Sequence, residues 1–232
     1  TILIAHQEMC DQYRLLLLKF CEAEEDSQFN YTDERYLISE DVVNLLNSRS
    51  EIVGVDPRLV LEATVNEVPG FLYERSSVVQ VGDEREGKSL IVGVEPAKVL
   101  NDWLLSGDFL EESEAFEAVT GDTIAQKIFS MPLNQDIRLH KSNFDIIGIC
   151  LDPINNGNVT YVPLKPLQNI TGVSKPNVVI VKIASSVDNV SILNHIRTEV
   201  KNLNPEFEVF ALHEVLDKNL SFLGHVWSTI ML

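Results

Sequence analysis

Five histidines, three cysteines and 35 acidic side chains are the groups in this 232-residue chain that could carry chemistry. His6, His140, His195, His213 and His225 stand far apart, none at ligand spacing from another, so no metal centre is expected. The acidic segments 22–26 and 111–114 lack the alternating spacing of a calcium loop and read as solvated faces. GxGxxG does not occur, and GxSxG and HExxH are absent too. Paired carboxylates must exist somewhere by number alone, but without a cleft to hold them no general acid or base can be nominated. No catalytic residue and no cofactor are expected.

Cys10, Cys21 and Cys150 do not form a disulfide framework, which would be denser and even in number. On one helix, Cys10 and Cys21 would stand roughly 16 Å apart, beyond the reach of a disulfide. All three read as small buried hydrophobes. N-x-[ST] patterns occur at Asn30, Asn158, Asn169, Asn189 and Asn219. Asn158 and Asn189, beside turn signals, are the expected acceptors if the chain is glycosylated.

The elements that must position these groups fall into three stretches. At the start, Ile2, His6, Met9, Tyr13, Leu16, Phe20 and Ala23 recur at spacings of four and three. Near the end, Leu216, Leu220, Leu223, Trp227 and Ile230 do the same. Such seams put apolar side chains on one stripe of a helix. They predict two terminal helices paired antiparallel, with Thr1 near Leu232. Both ends read as cut, the water-side stubs of membrane spans, although neither reaches the ~20 apolar residues a span needs. Two ordinary amphipathic helices lying on one core are the alternative.

Inside these ends, Ser39 with Glu40 and Asp41 opens a helix whose Val42, Leu45 and Leu46 face inward. Residues 53–65 read as extended, with Leu59, Leu61, Ala63 and Val65 alternating. From Phe71 to Gly172 short strands are expected at 78–81, 90–94, 137–139, 144–149 and 159–162. Turns are expected at Gly82-Asp83, Glu86-Gly87 and 155–157. Helices are expected at 96–104 and 122–129. In the last third, residues 177–183 read as a buried strand. A helix follows with Ile192, Ile196, Val200 and Leu203 inward, then a strand at 206–212.

The fold class expected is α+β. An α/β subdomain formed from both chain ends (31–68 plus 175–212) carries an inserted β-rich subdomain (69–174). Long terminal helices (1–30 and 213–232) form a stalk.

A net charge of −17 repels phosphates and anionic lipid headgroups, so neither nucleic acid nor a lipid surface is expected as a partner. With 45% hydrophobic residues the chain can build a core.

Several segments resemble the extracytoplasmic domain of MacB/FtsX-type ABC transporter permeases. They are LIVGVEP around Gly93, LSGDFLEESEAFEAVTGDTIAQKIF, DIRLHKSNFDIIGIC and VTYVPLKPLQNITG. Gly107 to Phe109 match the family's glycine turn, and Gly121 with Ala125 its small-residue helix. Asp136 with Ile137 match a strand entry, Gly148 a Val-Gly-Ile-like strand, and Tyr161 with Pro163 a Tyr-Val-Pro-Leu strand. Asp108 stands where the family often has Arg, and Gln135 where Gly usually precedes Asp. The resemblance runs from about Tyr36 to Leu220.

It implies a transport component rather than an enzyme, on the extracytoplasmic face of the membrane. It also implies a cytoplasmic ATPase and a second permease subunit as partners. The domain's expected role is to transmit conformational change, or to bind substrate or a partner protein, during export. A free extracellular ligand-binding or adhesion protein, with a cleft between two subdomains, is the alternative; a hydrolase using dispersed acids is a third.

Overall fold

The structure, a computed structural model, describes residues 2–9, 30–74, 76–98, 104–152, 157–184 and 189–211. The two terminal seams therefore lie mostly outside the described residues. The chain divides into two compact units. One comprises residues 1–27, 33–57 and 177–232, the other residues 28–32 and 58–176.

The first unit is built around strand β1 (Ile2–His6), which lies between two strands from the far end of the sequence. It pairs antiparallel with β11 (Val178–Ile183) on one side and β12 (Phe207–Ala211) on the other. The first residues of β2 (Ile52–Val68) extend the sheet beyond β11. Because both neighbours run antiparallel to β1, β11 and β12 are parallel, and a helix must carry the chain between them. That helix is α4 (Asn189–Leu203). It packs, with α1 (Glu40–Asn47), over a core including Ile4, Val42, Leu46, Val179, Ile196 and Val200.

Ile2–His6 thus forms a strand, not the first turn of a helix. The run ILIAH sets Ile2 and Ile4 on one face and Leu3 and Ala5 on the other, apolar side chains on both faces as a central strand requires, and Gln7 N–H continues the pairing by donating to Glu206 O. Residues 7–9 are helical. The α4 seam also ends sooner than its spacing implied. Leu203 is 50% exposed, while Leu193 is buried in its place.

In the second unit the strand pairings close on themselves. The remainder of β2 pairs with β5 (Glu86–Val94), β5 with β10 (Val159–Pro163), and β10 with β7 (Glu117–Gly121). β7 then pairs with β9 (Ser142–Cys150), β9 with β8 (Asp136–Leu139), and β8 returns to β2. The result is a ring of six strands, a small barrel whose pairing leaves no edge around the circuit. β6 (Leu104–Gly107) adds to β9 outside the ring. Helices α2 (Asp122–Ile128) and α3 (Leu164–Thr171) pack against its strands.

A buried row of hydroxyls crosses three strands. Ser89 Oγ and Thr160 Oγ1 are 3.0 Å apart, and Thr120 lies directly opposite Thr160. Of residues 96–104, expected as one helix, Pro96–Lys98 form a 3₁₀ turn and Leu104 opens strand β6, while 99–103 lie outside the described residues. Glu86-Gly87 is strand rather than turn, so the GxxxxGK[ST] pattern spelled by residues 82–89 runs into strand β5 and not into a helix. Strands β3 (Gly70–Glu74) and β4 (Ser77–Val81) pair only with each other, as a separate hairpin.

Candidate functional site: a clasped apolar hairpin

The alternation of β2 carries Val65 and then Glu67 onto the buried side. Glu67 is 1% exposed, an expensive place for a carboxylate unless it is fully hydrogen-bonded. The fold supplies those bonds from three directions. Asp83 N–H donates to Oε2 at 2.9 Å and Arg85 N–H to the same oxygen at 3.2 Å. Ser130 N–H donates to Oε1 at 3.3 Å, and Gln135 Nε2 to Oε1 at 2.5 Å. Arg85 Nε stands 3.7 Å away. Burial pushes the Glu67 carboxyl upward, but the donated bonds from Asp83, Gln135, Arg85 and Ser130 outweigh it, so its pKa lies below the usual range.

This carboxylate clasps the base of the β3–β4 hairpin. Gln135 Nε2 also donates to Val81 O, and its Oε1 accepts from Met131 N–H at 2.7 Å. Gly82, at φ +106°, follows β4 into the clasp. A Cβ there would fall 2.2 Å from Gln135 Nε2 and 2.7 Å from Glu67 Oε1. On the other arm the first hairpin residue, Gly70, lies against the Pro132–Asn134 turn, where a Cβ would meet Asn134 O at 1.7 Å.

Beyond this base the hairpin presents apolar side chains to solvent. Tyr73 is 81% exposed, Phe71 and Val78 are each 57%, and Val79 is 50%. The register sets Phe71 opposite Gln80 and Tyr73 opposite Val78, so Phe71, Tyr73 and Val78 share one face. Met131 and Leu133, beside the base, are also exposed. Asp83, Glu84 and Glu86 give the base an acidic rim. The arrangement suits recognition of another surface; it holds no nucleophile and base in reach of each other.

The residues singled out from sequence fall elsewhere, in several groups around the barrel. Gly107 pairs with Gly148 across β6 and β9; a Cβ on Gly107 would strike Ile147 O at 2.1 Å, and one on Gly148 would strike Asp108 O at 2.1 Å. The Phe109 and Tyr161 rings are 6.0 Å apart, and the Tyr161 hydroxyl donates to Asp152 Oδ2 at 2.8 Å. Gly121 leads into α2, where Ala125 is buried, and the main chain of Gly157 crosses at 2.3 Å from where a Gly121 Cβ would sit. Pro163 ends β10 and caps α3, which lies on Gly93 with Leu164 and Leu167 where a side chain would otherwise stand.

Asp136 is separate, opposite Asp145 on β9, which in turn lies opposite Glu117 on β7. Burial, with Asp145 beside it, raises the Asp136 pKa. Burial again, then Glu112 and Asp145, raises that of Glu117. Asn158 is half-buried, and the Thr160 of its acceptor pattern is buried in the sheet against Ser89. Asn189 opens α4. Among the described residues no cluster of His, Cys, Asp and Glu could hold a metal ion.

A family model described as the MacB-like periplasmic core domain matches residues 27–199. The chain belongs to this family. The domain is thus the extracytoplasmic part of an ABC transporter permease of MacB/FtsX type, a transporter component that works with an ATPase. Among solved structures, the periplasmic region of MacB from Actinobacillus actinomycetemcomitans is similar, with a TM-score of 0.61 and 17% identity; the match covers 94% of this chain and 91% of that one. The extracellular domain of the noncanonic ABC-type transporter YknZ from Gram-positive bacteria is also similar. Its TM-score is 0.56 at 16% identity, covering 76% and 90% of the two chains. At these identities the likeness is one of fold. No curated protein matched significantly. Among the described residues, no helix of this MacB-like domain is long and apolar enough to cross a membrane.

The hairpin and its clasp were not read from the sequence. The alternation Leu61, Ala63, Val65 extends to Glu67, and that continuation was the available signal for a buried acid.

Proposed function

We propose that this domain docks a partner protein of the export machinery through the β3–β4 hairpin. It does so as the external part of a permease that operates with a cytoplasmic ATPase and a second permease subunit. The observation that carries the reading is the exposed apolar face formed by Phe71, Tyr73 and Val78 on a hairpin whose base is locked by a buried carboxylate. Apolar and aromatic groups on a pre-ordered element lose little conformational entropy when covered, which favours binding. The acidic rim of Asp83, Glu84 and Glu86 selects a partner with an apolar cleft bordered by basic side chains.

The test places a photo-crosslinking residue at position 73 of the full-length permease, and in parallel at the exposed Lys165. A protein adduct specific to position 73 is expected. That partner, once purified, should bind the domain at least about tenfold more weakly when Tyr73→Ser and Val78→Ser are combined. No adduct beyond the Lys165 control, or equal affinity for the double variant, would overturn the reading.

A further inference from the structure

A cavity of about 370 Å³ opens on the second unit where residues 30–32, β2, the β8–β9 turn and the end of α3 meet. Its volume falls in the range of small-molecule sites. Leu61 and Ile170 supply an apolar part, and Asn30 and Thr171 supply neutral polar groups. One lining group carries a carboxyl, Glu62. Its protein counter-ion, Lys88 Nζ, is 3.8 Å away with a side chain 75% exposed, an ion pair that water screens strongly.

Tyr31, buried beside Glu62, contributes a phenol rather than a phenolate: burial, and then the Glu62 charge, hold its pKa well above the usual value. The Thr171 hydroxyl donates to Leu167 O at 2.8 Å and accepts from Val173 N–H at 3.3 Å, leaving one oxygen lone pair as an acceptor. His140, on the β8–β9 turn in a left-handed conformation at φ +53°, also lines the cavity. The cavity thus offers a carboxylate, a hydroxyl acceptor and an apolar wall. A ligand that matches all three has a donor-rich positive head and a short alkyl chain. The chain's net charge of −17 also concentrates small cations around it.

We propose that this cavity binds a small primary ammonium compound, an alkyl diamine or polyamine, with Glu62 as its charge partner. Putrescine and spermidine are the probes, and 1,4-butanediol is the neutral analogue of matching length. Calorimetric titration of the 232-residue chain at constant ionic strength should show saturable one-site binding of the amines and none of the diol. Glu62→Gln should weaken amine binding about tenfold or more, the scale of one charge-assisted hydrogen bond. Ile170→Trp, which fills the cavity without touching a charge, should abolish it.

Four results would sink the proposal: no saturation by about 10 mM amine, a millimolar limit beyond which a site has little affinity to speak of; equal binding of the diol; amine binding unchanged in Glu62→Gln; or amine binding unchanged in Ile170→Trp. The last would mark a diffuse counter-ion cloud. Since Ile170→Trp and Glu62→Gln perturb different elements, failure of either variant to fold leaves the other to decide.

Discussion

Gln135 Nε2 stands 2.5 Å from Glu67 Oε1, and no other side chain among the described residues donates to that buried carboxylate. The remaining donors are main-chain N–H groups of the 82–85 loop and of Ser130. Glu67 therefore ties together three segments that share no strand pairing at that point.

Glu67→Ala should destabilise the chain by about 3–5 kcal/mol, because it strands several buried donors at once. Glu67→Gln keeps the shape but loses the charge and half the acceptors, and should cost about 2 kcal/mol. Denaturant unfolding measures both. A loss under about 0.5 kcal/mol in Glu67→Ala would remove the clasp from the account.

Acid should act on Glu67 in a definite direction. Its folded pKa is depressed, so its stabilisation is present above the ordinary carboxylate range and is lost as pH falls through the depressed folded value. Asp136 and Glu117 have the opposite sign. Their folded pKa values are raised, so their contribution is least favourable at neutral pH and improves as pH falls through those raised values. Asp145→Asn removes the charge between them and should add about 0.5 kcal/mol at pH 7, with the gain vanishing near pH 3. Thermal melts across pH distinguish the two behaviours.

Two glycines separate backbone strain from crowding. Gly107 and Gly172 both sit at positive φ, +76° and +72°. A Cβ on Gly107 meets Ile147 O at 2.1 Å, whereas one on Gly172 meets nothing within 4 Å. Gly172→Ala should cost about 1 kcal/mol, the conformational penalty alone. Gly107→Ala should cost about 3 kcal/mol or more, since main chain must move. Equal losses in denaturant melts would contradict the close approach of β6 to β9.

Cys150 is free, buried and shifted up to about 12, chiefly by burial and then by Asp152 and Asp122. Its thiolate population at pH 8 is negligible, so alkylation of the native chain should leave Cys150 unmodified until the fold opens. Peptide mapping after iodoacetamide treatment, with and without denaturant, checks this.

The sequence pattern was legible where one periodicity ruled. Residues 177–183 and 206–212 are strands β11 and β12 within a residue of expectation, and Ser39-Glu40-Asp41 does open α1. Ser39 does so through its main-chain carbonyl, which accepts from Val42 and Val43, not through its hydroxyl. Ambiguity defeated the reading of β1. Five residues cannot tell a 3–4 seam from an all-apolar strand, and only its pairing with Val178–Val181 and Phe207–Ala211 decides. The anchoring role of Glu67 was illegible for another reason. An acid near a strand end ordinarily faces water, and the donors that make it a buried anchor come from residues 83, 85, 130 and 135. Ring closure through β8 is non-local in the same way. The family motifs identified the fold, yet their residues turned out to shape turns and helix seats and not the hairpin.

The position of β1 has a consequence for synthesis. It is the first described strand to be made, and its hydrogen-bonding neighbours β11 and β12 are the last two. At ribosomal rates of roughly 5–20 residues per second, ILIAH waits on the order of 10–40 s before both flanks exist. Throughout that interval an apolar strand carries two unsatisfied edges, so the nascent chain is most vulnerable to aggregation before β11 and β12 emerge. A holding chaperone would be needed early, and slowing translation late in the message would lengthen the exposure.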